Sequence, residues 1–190
     1  MLDIIGILYL TLSTLYLLGI FPIQIFEFMD LRVGYALSDY ALVYDVGNYF
    51  NISVIIAGLL CGLDAVTNQK YKRIKKWVYN LHAISAFSII GVGLFPLTGN
   101  AFDILKILHW TSALTFFIIY PLTRLLILKA YSKKNFFRIG GIYLVLNILA
   151  LVIYIRSELK YIVYPEYLMW IAVMSTIILS QIVISGKRKK

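Results

Sequence analysis

The chain has 190 residues, of which 61% are hydrophobic and only 14% charged, against roughly 45–50% and 25% in soluble domains. A net charge of +9 would suggest a nucleic-acid partner in a soluble protein. Here the basic residues adjoin apolar runs of membrane-spanning length, which excludes nucleic acid and makes lipid the solvent.

The first apolar run, Ile4 to Phe26, lacks a basic leader and a small-x-small cleavage site and exceeds a secretory core in length, so it reads as a retained span. Glu27 to Val46 follows as a long first outer loop. It holds Phe28, Leu31, Val33, Tyr35, Leu37, Tyr40, Leu42 and Tyr44 among five charged residues. That mixture is too apolar for a solvated loop and too charged to span, and predicts a segment lying on the membrane or over the bundle as a lid. Five further spans are expected at Gly47 to Val66, Trp77 to Phe95, Ile104 to Thr123, Ile139 to Ile155 and Tyr167 to Ser185. The turn Pro96 to Asp103, with breakers Pro96, Gly99 and Asn100, makes the third and fourth spans antiparallel neighbours. No linker or soluble insertion interrupts residues 1–190, so a single all-α, six-helix transmembrane domain is expected.

Charge placement orients it. Of 18 Lys and Arg residues, 14 lie at Lys70 to Lys76, Arg124 to Arg138 and Lys187 to Lys190, after the second, fourth and sixth runs. Short basic loops stay on the cytoplasmic side, so both termini of this cell-membrane protein are expected in the cytoplasm.

Small residues indicate where helices meet. Asn51, Gly58, Gly62 and Ala65 form one stripe of the second span, and His82, Ser85, Ala86 and Gly93 a comparable stripe of the third. Small-xxx-small spacing lets backbones approach, which places these two spans at the tight centre of the bundle. Cys61, the one cysteine, lies in the second span and reads as packing. Tyr161, Tyr164, Tyr167 and Trp170 on the outside, with Tyr71 and Trp77 inside, read as interfacial belts.

Polar residues in membrane helices are functional hypotheses, because burying them is costly without partners. On the outer side Asn48, Asn51, Asp103, Lys106, His109 and Glu166 could converge beneath the long loop, since Asp103, Lys106 and His109 are spaced by three. A His among carboxylates there could serve as general base or hold a polar headgroup; the plain alternative is one interhelical hydrogen bond. On the inner side lie Asp64, Asn80 and His82, with Asn147 between the groups. The depths of His82 and His109 should differ by roughly 12–15 Å, too much for two axial ligands of one haem. No three-ligand zinc set, nucleophile elbow or phosphate loop is present, so neither metal nor cofactor is expected.

Phe50 and Asn51 with Ala57, Gly58, Leu59 and Leu60, then Gly91, Gly93, Leu94, Phe95 and Pro96 followed by His109, carry a resemblance. With Ser38 and Asp39 in the long loop, this ordered set resembles the prokaryotic membrane-protein family catalogued as domain of unknown function 998. The resemblance implies a six-helix bundle, distantly like the DRAM-type membrane proteins, and no assigned activity. It adds Ser38 and Asp39 to the outer set.

The expected role is that of an accessory membrane protein binding lipid or partner subunits through the outer pocket and small-residue helix faces. The alternative is an intramembrane enzyme on a lipid or polyprenyl headgroup, with His109 as base and Asp39 or Glu166 orienting it. A transporter would need a polar path through Asn147 and an inverted repeat, and is disfavoured.

Overall fold

A computed structural model describes residues 4–5, 8–9, 47–67, 74–95, 104–156 and 163–188, apart from the side chains of 163, 164, 167, 187 and 188. These residues are helical with short connections and contain no strand. Five helices are long and apolar enough to cross a membrane. They are α1 (Gly47–Thr67), α2 (Lys76–Leu94), α3 (Ile104–Tyr131), α4 (Lys133–Arg156) and α5 (Val163–Arg188). Of the first apolar run, Ile4, Ile5, Leu8 and Tyr9 are helical, and Ile4 packs against the core. The rest of that run, the long loop to Val46 and the turn Pro96 to Asp103 lie outside the described residues.

Helices α1 and α2 form the most extensive contact, as their glycines predict. A Cβ on Gly58 would stand 2.6 Å from Ile90 Cγ1, and one on Gly93 2.7 Å from the backbone oxygen of Asn51. A Cβ on Gly62 would enter the ring of Phe87, and one on Gly91 would meet Ser112 of α3. Cys61 is fully buried in the same core, alongside Val54, Ala57, Ala86 and Ile89.

The fourth span differs from expectation. It runs on through Tyr131, and α4 begins at Lys133, so Arg124 to Arg138 is helix rather than loop. Ser132 alone joins the two: its N–H donates to Leu128 O at 2.9 Å, and its Oγ accepts from the Asn135 N–H at 3.3 Å. A serine can end one helix and cap the next because its backbone is extended there and its side-chain oxygen replaces a missing carbonyl.

Within α3, Thr115–Ile119 widens to a π-turn in which the Tyr120 N–H reaches back to Thr115 O. Pro121 follows and has no N–H to give. The carbonyl of Phe117, which an N–H at position 121 would serve in a regular helix, accepts instead from the Tyr143 hydroxyl of α4 at 3.0 Å. In hydrocarbon no water could replace that donor. Tyr143→Phe should therefore cost about 1 kcal/mol of bundle stability, read as unfolding in detergent. In a Pro121→Ala background, which restores an N–H at that turn, the same change should cost little. Equal losses in both backgrounds would show that Tyr143 is not substituting for the missing donor.

Candidate functional site

The basic residues Lys75, Lys76, Lys129, Lys133, Lys134 and Arg138 mark one end of the bundle, and the polar groups expected from sequence fall near its two ends. At the end opposite the basic one, His109 is buried and its Nδ1 donates to Phe95 O at 2.8 Å, next to the last turn of α2. This is the interhelical hydrogen bond of the plainer reading, and it fixes the tautomer, because a carbonyl accepts only from Nδ1–H. Asn51 of α1 approaches the same turn at Gly93, and its side-chain Oδ1 is buried without a hydrogen-bond partner among the described residues. Asn51 and His109 thus meet a common element from two sides. Asn48 is exposed, and Lys106 and Glu166 are half-buried. Ser38, Asp39 and Asp103 lie outside the described residues.

Nearer the basic end, Asp64 of α1 and His82 of α2 are buried, whereas Asn80 is exposed and points away from them. The structure adds side chains that were not singled out from sequence. His82 Nδ1 lies 2.8 Å from Thr123 Oγ1, and that hydroxyl is 2.8 Å from Tyr120 O. A hydroxyl has one hydrogen; with it on the carbonyl, Thr123 accepts from His82 Nδ1–H, and Nε2 becomes the basic nitrogen. Arg124, only 3% exposed, donates from Nε to Ser180 Oγ at 2.9 Å and from Nη2 to Gln181 Oε1. Ser180 passes its own hydrogen to Ile177 O at 3.0 Å.

Three helices are therefore joined through one polar layer, His82 of α2, Thr123 with Arg124 of α3, and Ser180 with Gln181 of α5, and Asp64 of α1 is buried toward the same end. Arg124 belongs to the basic cluster expected in a loop, but it is buried in α3 as an interhelical fork, suited to this place because guanidinium is weakly hydrated and planar. The signal that could have found it is local, since Leu122, Leu125, Leu126, Ile127 and Leu128 surround it and Thr123 precedes it.

A column of rings rises from this layer. His82 stacks on Tyr120 at 4.7 Å and 6°, Tyr120 on Phe116 at 5.2 Å, and Phe116 on Trp170 at 6.2 Å. Phe116 and Tyr120 are four residues apart and so share one helical face beside the π-turn. Trp170, expected in an interfacial belt, is a core partner of Phe116 and Phe117, whereas Trp77 is exposed near the basic end. Asn147 does not bridge the two polar groups; its Nδ2 donates to Tyr143 O of its own helix at 2.7 Å. His82 and His109 stay apart as well, because Thr123 lies fourteen positions after His109 on α3, about 20 Å of helix. Among the described residues no three His, Cys, Asp or Glu side chains come together as metal ligands would.

Apolar helices of spanning length enclosing a buried polar layer define a multi-pass membrane protein. The family model described as protein of unknown function (DUF998) matches residues 31–179. The chain belongs to that family. No curated protein and no solved structure matches it.

Proposed function

We propose that this is a six-span cell-membrane protein, with both termini and its basic end in the cytoplasm, that binds lipid or a partner membrane protein. The observation that carries the reading is the surface of α4. Only 17% of its spanning window is buried, against 33% to 50% for the other four helices. Leu144, Val145, Ile148, Leu149, Leu151 and Ile155 are exposed along it. The small-residue faces of α1 and α2 are occupied by each other, so among the described residues α4 offers the most exposed apolar face. At the outer end, the unpaired Asn51 Oδ1 supports a polar site able to accept a hydrogen from a headgroup.

The test is photocrosslinking from Ile148, with buried Ala150 as control, followed by native mass spectrometry of gently extracted protein. A stoichiometric lipid or protein adduct from Ile148 alone is expected. Equal labelling from both positions, with a chain that retains neither lipid nor partner, would overturn the reading.

One observation favours the enzyme alternative. The Phe95 carbonyl holds His109 in the tautomer whose Nε2 can take a proton, an arrangement by which a general base is oriented. On that reading His109→Ala abolishes turnover of a lipid or polyprenyl substrate while leaving membrane insertion intact.

A further inference from the structure

The basic end of the bundle carries a surface that topology alone does not explain. Lys75 and Lys76 open α2, Lys129 closes α3, and Lys133, Lys134 and Arg138 open α4; all six are exposed. They form one rim because the helix ends beneath them share one core, in which Val78, Tyr79, Leu128 and Ile139 pack with Ile74, Tyr131 and Phe136. Asp64 is the one acidic residue described near this end, and it is buried, so no exposed carboxylate among the described residues neutralises the rim. Two large aromatic side chains stand beside these charges. Phe137 is 71% exposed and Trp77 56% exposed. Lys129 lies over the ring of Phe136, 5.4 Å from its centroid.

We propose that this rim is a binding surface for an anionic lipid bearing more than one phosphate, with Lys129, Lys133, Lys134 and Arg138 on the phosphates and Phe137 and Trp77 in the upper acyl region. The inference rests on the lipid-binding reading above and deepens it by naming headgroup and residues. A lipid fits better than nucleic acid because both aromatics adjoin spans: Trp77 is the second residue of α2, and Phe137 lies two before buried Ile139. Orientation by basic loops requires only charge during insertion. A binding surface requires the folded placement, and the C-terminal Lys187 to Lys190 should then not substitute for it.

The experiment reads lipid retention by native mass spectrometry of purified protein in micelles containing equal phosphatidylcholine and cardiolipin. One cardiolipin per chain is expected. Lys133→Gln with Lys134→Gln and Arg138→Gln should reduce retention at least tenfold, and Phe137→Ala about threefold. Neutralising Lys187 to Lys190 should leave it unchanged. Equal loss from the C-terminal variant, equal retention of phosphatidylcholine, or displacement by soluble pyrophosphate or by a DNA duplex would overturn the proposal. Circular dichroism and gel filtration of each variant separate loss of the surface from loss of the fold. Because the protein is purified, the result does not depend on orientation in the cell or on what α4 binds.

Discussion

Arg124→Leu should destabilise the bundle by about 2–4 kcal/mol, measured by denaturation in detergent, because it strips buried Ser180 Oγ and half-buried Gln181 Oε1 of their donor. The informative comparison is Arg124→Lys. A topological charge is equally well supplied by lysine, so full rescue would return Arg124 to the role of an orienting residue. An interhelical fork is not, because an ammonium on a flexible stem cannot reproduce donation from Nε and Nη2 to two different residues. Lysine is therefore expected to recover less than half the loss. Ser180→Ala should be milder, removing one acceptor while Gln181 remains.

Gly93→Ala should cost about 1–3 kcal/mol, although alanine is the better helix former, because its Cβ would meet backbone rather than a side chain able to turn away. The oxygen of Asn51 can recede only if α1 moves from α2, and the same shift would loosen Gly58 from Ile90. Gly62→Leu should be more severe, since it drives a full side chain into the space of Phe87. Gly141→Ala and Gly186→Ala are the controls: nothing lies within 4 Å of either added Cβ, so both should be neutral or slightly stabilising. If Gly93→Ala behaved like these two, the close α1–α2 packing described above would be wrong.

These two cases show what could be read from the chain in advance. Five of the spans were legible because hydrocarbon thickness dictates their length, and the α1–α2 contact because small residues recur on one face. The end of α3 was not. Charge in the sequence suggests the end of a span, yet Arg124 is buried and Lys129 continues the helix, since a helix satisfies its own backbone wherever its side chains go. The polar layer was half legible. Asp64 and His82 stood out as ionisable groups in apolar runs, but Thr123, Ser180 and Gln181 are polar residues that membrane helices carry without remark, and only geometry joins them. At the end opposite the basic one His109 is buried, and its hydrogen bond to the Phe95 carbonyl just past α2 is invisible to any spacing rule because a backbone atom has no letter in the sequence.

The single residue between α3 and α4 bears on biogenesis. With only Ser132 to turn the chain, the second helix cannot wait in the exit tunnel while the first finds its place; the two must enter the lipid as one hairpin, with the lysines flanking the bend held at the basic end. A tag, reporter or protease site inserted at that bend would thus report on failed membrane integration rather than on topology.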